Sequence, residues 1–266
     1  MGAKEILGSL GLHAKKSFGQ NFLHDVHHLR TIAHLAVCLR QNDHEIVYEL
    51  GAGLGALTRA LLDEGALVHA IERDRDLVPI LRREFAHDLE NKKLTIHEAN
   101  ASTFNFGCER FVLCGNLPYH LTSTLMLQAA DWYTQLDGAV YMIQAEVAER
   151  IAAAAGSKTY GLLSVLMQVR FNVAVVHHVP REAFWPIPQI DSSVIQLTPR
   201  QSETVDWSKL KHLVKTAFAY RRKTLRNSLS RLPSALEALE QIGLDPILRA
   251  ENLSPEDYVR LCEAMK

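Results

Sequence analysis

Between residues 45 and 143 the chain keeps one rhythm: a mostly apolar run, a turn, then a stretch with apolar residues three and four apart. Residues 46–50, 67–71, 94–96, 111–113 and 139–143 form the apolar runs, while 56–62, 77–89 and 121–130 carry the helical spacing. Runs without polar alternation suit strands buried on both faces, and strands separated by helices are joined by crossovers. The rhythm predicts an α/β fold, a mostly parallel sheet with helices on both faces. Two more strand candidates, 172–176 and 193–197, flank the proline-rich Phe184-Trp185-Pro186-Ile187-Pro188, and so short a connection allows antiparallel pairing at the sheet edge. Residues 199–206 are polar, and beyond them everything reads as helix, with Ser254-Pro255-Glu256-Asp257 a marked helix start. A boundary near residue 202 follows, dividing a domain at 1–201 from a small all-helical C-terminal domain at 202–266.

The first strand runs into Glu49-Leu50-Gly51-Ala52-Gly53-Leu54-Gly55. Glycines permit positive φ and let a ligand approach the backbone. The spacing is not the Gly-x-Gly-x-x-Gly of dinucleotide enzymes. It matches the loop of Rossmann-like methyltransferases, which faces the amino-acid part of S-adenosylmethionine, so Glu49, Gly51 and Gly53 are cofactor candidates. Glu72, seventeen residues after Gly55 and directly after the second strand, is placed to accept from both ribose hydroxyls. Arg73-Asp74-Arg75-Asp76 beside it reads as a solvated charged loop. The third strand ends near Asn100, where such enzymes often carry an acid for the cofactor's adenine amine; the amide carbonyl is expected to accept there without charge assistance.

Asn116-Leu117-Pro118-Tyr119 follows the strand at 111–113. An amide acceptor, a rigid proline and a stacking ring at a strand end suit the capture of a flat base by its exocyclic amine. The same tetrapeptide also serves as an ordinary turn.

A composition of 47% hydrophobic and 22% charged residues fits a soluble globular protein, and no apolar run is long enough to span a membrane. Cys38, Cys108, Cys114 and Cys262 lie far apart, as expected of reduced thiols in a cytoplasmic protein. The histidines, His27-His28 and His177-His178 among them, read as solvated or capping, and no metal is expected. A formal net charge of −1 conceals a basic stretch: Lys209, Lys211, Lys215, Arg221, Arg222, Lys223, Arg226 and Arg231 occur with no acid between residues 207 and 232. Contact with a polyanion is the expected use, with affinity falling steeply as salt rises.

The order and spacing of several motifs resemble the KsgA-type small-subunit (16S) rRNA adenine N6,N6-dimethyltransferases over nearly the whole chain. They are Lys16-Ser17-Phe18-Gly19-Gln20-Asn21-Phe22-Leu23, the glycine loop, Asn116-Leu117-Pro118-Tyr119, Gln144-Ala145-Glu146-Val147-Ala148-Glu149-Arg150, Tyr160-Gly161-Leu162-Leu163-Ser164-Val165, Phe184-Trp185-Pro186-Ile187-Pro188-Gln189-Ile190-Asp191-Ser192 and Arg221-Arg222-Lys223-Thr224-Leu225-Arg226-Asn227. The resemblance implies a Rossmann-like methyltransferase sheet and a cover for S-adenosylmethionine made by Gln20, Asn21 and Leu23 within residues 1–44. Gly51, Glu72, Asn100 and Asn116 would complete that site. Asn116 and the Leu117 carbonyl would hold the target amine, with Tyr119 and Phe184 stacking on the adenine. The C-terminal domain, through Arg221, Arg222, Lys223 and Arg226, would meet 16S rRNA in the small subunit or its precursor. A monomer is the default expectation. The alternatives are a large-subunit rRNA or DNA adenine-N6 methylase, or a non-enzymatic ribosome assembly factor.

Overall fold

The structure is a computed structural model and describes residues 3–15, 18–107, 109–200, 205–220 and 222–265. Its strands are β1 (Phe22–Leu23), β2 (Ile46–Leu50), β3 (Leu67–Glu72), β4 (Leu94–Glu98), β5 (Phe111–Asn116), β6 (Leu136–Gln144), β7 (Phe171–Val179), β8 (Phe184–Trp185) and β9 (Ser192–Pro199). Seven of them form one sheet in the order β4-β3-β2-β5-β6-β9-β7. Strands β2 to β6 pair in parallel, and β9 runs antiparallel to β6. The expected parallel α/β sheet is present. The chain steps outward from β2 through β3 to β4, then returns to the other side of β2 as β5. The connections leaving β2 and β5 therefore depart in opposite directions, which opens a crevice at their carboxyl ends.

Burial explains the strand sequences. Every residue of β5 before Asn116 and of β6 before Gln144 is buried, so no polar alternation survives. Strands β2 and β5 converge closely where the crevice begins. A Cβ on Gly115 would lie 2.6 Å from the Leu50 carbonyl oxygen, and only glycine fits there. Strand β7 starts at Phe171 and ends at Val179, longer than the expected 172–176, and forms the outer edge beside β9.

The helix Val26–Val37 buries Leu29, Ile32, Ala33 and Ala36, the i, i+3, i+4, i+7 stripe of a one-sided helix. Asp25 caps it, accepting from the backbone N–H groups of His27 and His28 at 2.9 and 3.2 Å. The helix expected at 77–89 is two, Val78–Glu84 and Ala86–Glu90. The break falls at Phe85, which turns into the core with the Arg59 guanidinium 4.6 Å from its ring centre. Of the described cysteines, Cys114 and Cys262 are buried and Cys38 is exposed, and all three are free.

Contacts divide the chain into two compact units, Met1–Ala148 with Ala174–Pro199, and Glu149–Val173 with Arg200–Lys266. Residues 149–173 thus group with the C-terminal helices rather than with the sheet. The physical reason is apolar packing: the helix Leu162–Arg170 lies against both Trp207–Phe218 and Pro255–Ala264. Backbone bonds from Arg200 N–H to the Arg170 carbonyl and from Gly156 N–H to the Glu251 carbonyl fasten the same unit. The helix Pro255–Ala264 starts at the marked Ser254, which shares a capping box with Asp257. Among the described residues no helix is long and apolar enough to cross a membrane.

Candidate active site

A cavity of about 950 Å³ opens at the carboxyl ends of β2, β3 and β5. Its walls include Gln20, Asn21, Leu23, Glu49, Gly51, Gly53, Glu72, Asn100, Asn116, Leu117 and Tyr119, residues that the sequence scatters over a hundred positions. Gly53 has φ 59°, in the left-handed region, and its N–H donates to Glu72 Oε2 at 2.8 Å. A Cβ at Gly53 would crowd the Phe22 ring at 3.3 Å, so the loop and the N-terminal segment close on each other only around a glycine.

Two amides in this cavity have opposite polarity, and backbone partners fix both. Asn116 Nδ2 donates to the Asn21 carbonyl at 2.9 Å. A carbonyl cannot donate, so the amide cannot be flipped and its Oδ1 remains as the acceptor end. Asn100 is the reverse: its Oδ1 accepts from Ser102 N–H at 3.1 Å and from Ser102 Oγ at 3.0 Å, capping a short 3₁₀ turn. Its free end is the Nδ2 donor. The expected role of the Asn100 carbonyl as an acceptor for an amine is therefore corrected: Ser102 already holds it.

Glu72 is buried, and each of its oxygens accepts one backbone N–H, from Asp74 at 2.7 Å and from Gly53 at 2.8 Å. A carboxylate oxygen has a second lone pair, so a ligand hydroxyl can be accommodated on each. Burial raises its pKa despite those bonds. Glu49 is deeper, 1% exposed, and burial pushes it up to about 7 against the opposing hydrogen bond from Thr58 Oγ1. The cavity thus holds two carboxyl groups that a cationic ligand would help to ionise.

The segment before β1 is pinned by contacts that the sequence did not announce. Asp74, expected in a solvated loop, is instead buried. It accepts from Lys15 Nζ at 2.5 Å and from Gln20 Nε2 at 2.7 Å. Burial alone would raise its pKa, but these donors hold it below the usual carboxylate range. Gln20 also accepts from Lys15 N–H at 2.8 Å, so both ends of its amide are structural. No motif signalled Lys15. The available hint was only a Lys15-Lys16 pair far ahead of the charged loop at 72–76.

Tyr119 lines the cavity, and its buried hydroxyl has no hydrogen-bond partner among the described residues. A buried hydroxyl without a described partner, on a residue of the same cavity wall as the Asn116 amide, fits a site shaped for a polar ligand. Leu117 is buried, and its N–H donates to the Met142 carbonyl at 3.0 Å, holding the tetrapeptide against β6. Phe184 departs from expectation: it is 2% exposed, pairs with Leu23 across the β1–β8 ladder and is not among the cavity walls. The ladder turns its ring into the core. Trp185 stacks on Phe22 next to it, ring centroids 6.5 Å apart. Arg222, Lys223 and Arg226 are exposed in the helical unit, whereas Arg221 lies outside the described residues.

The family model for ribosomal RNA adenine dimethylase matches residues 11–266. The chain is 41% identical to the ribosomal RNA small subunit methyltransferase A of Chromobacterium violaceum, over 93% of this chain and 94% of that one. Against the protein of the same name from Myxococcus xanthus it is 40% identical, covering 98% and 94%. Among solved structures, a dimethyladenosine transferase from Plasmodium falciparum superposes with a TM-score of 0.78 at 25% identity, over 90% of this chain and 95% of that one. The 23S rRNA methyltransferase ErmE gives 0.69 at 25% identity, over 92% and 99%.

Proposed function

Since the chain belongs to the ribosomal RNA adenine dimethylase family, we propose that it dimethylates N6 of two adjacent adenosines near the 3′ end of small-subunit (16S) rRNA during ribosome biogenesis, using S-adenosylmethionine. The observation that carries this reading is the fixed polarity of Asn116. With Nδ2 held by the Asn21 carbonyl, its Oδ1 is an acceptor in a cavity, the complement of an amine N–H. The bound cofactor supplies a methyl group activated by its sulfonium. Gly51 and Gly53 would line its amino-acid part and Glu72 its ribose, with Gln20, Asn21 and Leu23 as the cover.

Adenine N6 is a weak nucleophile because its lone pair is delocalised into the ring. Asn116 Oδ1 and the Leu117 carbonyl would accept its two N–H groups and align the lone pair with the methyl. As N6 becomes more tetrahedral and positive, these prepositioned dipoles strengthen their hold. The Tyr119 face would stack on the ring and favour the developing charge. The surplus proton then leaves to water, and a mono-methylated base re-enters with one N–H still to be accepted. Phe184 would supply a second stacking face only after its ring leaves the core. Because the base must leave its stack, an unpaired or flipped adenosine is the fitting substrate. Arg221, Arg222, Lys223 and Arg226 would meet rRNA phosphates, and the protein would act as a cytoplasmic monomer.

Undermethylated small subunits incubated with methyl-labelled cofactor should acquire two adjacent dimethyladenosines, mapped by sequencing. Modification of large-subunit RNA or DNA alone would reassign the substrate. RNA binding without any transfer would point to an assembly factor.

The Glu49 carboxyl gives this site a pH signature. Its pKa is raised from 4.5 to about 7, so the ligand-free folded chain holds a proton that the unfolded chain loses. This contribution to stability is full below pH 4.5 and fades as pH rises through about 7. Binding a sulfonium favours the ionised form and expels the proton. Cofactor affinity should therefore increase up to pH 7, approaching about tenfold per unit, and then level off. Calorimetric titration checks this, and Glu49→Gln should flatten the profile.

Asn100→Asp tests the other amide. Aspartate keeps one oxygen on Ser102 and offers the second to the cofactor's adenine amine, a charge-assisted bond worth about 1 kcal/mol or more. Affinity should rise several-fold. A marked loss would mean that the adenine lies away from residue 100.

A further inference from the structure

Three imidazoles meet on the outside of the sheet unit, away from any role above. His27 and His28 stand in the first turn of the helix Val26–Val37, where the Asp25 cap holds their backbone N–H groups. His177 reaches them from β7 although it is 149 positions from His28 in sequence. His28 Nδ1 and His177 Nε2 are 2.8 Å apart, and the His27 ring centre is 6.0 Å from that of His177. One ring nitrogen from each of the three lies within 4.8 Å of the other two. His178, its side chain on the opposite side of the strand, goes instead to Asp191 at 3.6 Å. A hydrogen-bonded histidine pair needs no third ring, and no described hydrogen bond joins these three rings to a carboxylate.

We propose that His27, His28 and His177 bind one zinc-like divalent transition-metal ion. Imidazole is the nitrogen ligand that zinc, nickel and copper favour, and three such ligands leave a fourth position for water. Tetrahedral zinc with bonds of about 2.0–2.1 Å places ligand nitrogens roughly 3.3 Å apart. Side-chain rotations that move ring atoms by on the order of 1 Å reach this from the observed spacing. The ion would clasp the start of the helix to β7. The residues just before the helix are already joined to those just after β7 by the β1–β8 ladder and a bond from His24 N–H to the Ala183 carbonyl at 3.0 Å. The clasp would secure the segment that emerges from the cavity wall at Leu23, and it takes no part in methyl transfer.

The test uses the full chain without an affinity tag, stripped with chelator and titrated with zinc chloride. The expected result is one ion per chain, with a melting midpoint raised by roughly 5 °C at a hundredfold excess over the dissociation constant. Cobalt(II) in its place should show the visible absorption of a tetrahedral site. His177→Ala and His28→Ala should each weaken binding at least about tenfold and cut the thermal shift by about half or more, whereas His44→Ala should change neither. Should His177→Ala fold poorly, His27→Gln gives the same readout. Equal zinc affinity in the wild type and these variants, or no stoichiometric binding, overturns the proposal.

Discussion

Asn116→Ala should lower single-turnover methyl transfer by about 10²–10³-fold or more while rRNA affinity stays within a few-fold of wild type. The substitution removes the oxygen proposed to receive the target amine, an interaction that would strengthen as N6 acquires charge. It also removes the donor that holds the Asn21 carbonyl, a bond worth about 1 kcal/mol, so cofactor affinity should drop modestly. The two losses separate in the measurement: a large fall in rate and a small rise in cofactor dissociation constant. Asn116→Asp sharpens the point. It keeps an acceptor for the amine but faces the Asn21 carbonyl with a second oxygen, so it should bind cofactor worse than alanine does while retaining more transfer per bound complex. Full methylation by Asn116→Ala would remove this amide from the chemistry.

Gly115→Ala should destabilise the sheet unit strongly. A methyl group there would sit 2.6 Å from the Leu50 carbonyl oxygen and 3.3 Å from both Leu50 N and Cβ. The first obstacle is backbone in the neighbouring central strand, which cannot rotate aside as a side chain can. Relief requires β2 and β5 to separate, in a region buried on both faces. The expected cost lies near the upper end of ~1–3 kcal/mol for overpacking, a large share of a typical folding free energy of about 5–15 kcal/mol. Urea titration should show an earlier midpoint. Activity should fall even where the chain remains folded, because Asn116 and Gly51 belong to the two strand ends being forced apart. A wild-type midpoint would mean that β2 and β5 can separate at this point without cost.

The sheet was legible because its signal is local: five apolar runs, each followed by a turn, need no partner to be recognised. The glycine loop, Glu72 and Asn116-Leu117-Pro118-Tyr119 were legible for the same reason, each being a short segment after a strand. What escaped depends on contacts between distant segments. The polarity of Asn100 is set by the backbone N–H of Ser102, which a residue identity does not reveal. Phe184 belongs to a motif, yet a two-residue ladder with β1 buries its ring. Asp74 sits in a run of alternating charges that looks solvated, and only Lys15 and Gln20, more than fifty positions earlier, make it internal. Residues 149–173 read as an extension of the α/β pattern but pack with the C-terminal helices. The histidine cluster shows the same limit, since neither half has meaning without the other.

The bond between Asn116 and Asn21 makes the assembly of the site conditional. The amide proposed to receive the base is oriented by the backbone of the segment that lines the cavity from the N-terminal side. If that segment lifts, the Asn116 amide is free to turn and can present a donor to an amine, which repels it. A base arriving before the segment is seated meets the wrong polarity; a base arriving afterwards meets the right one. One backbone carbonyl thus sets the polarity of the whole site: the Asn116 amide must answer to Asn21 before it can serve a base.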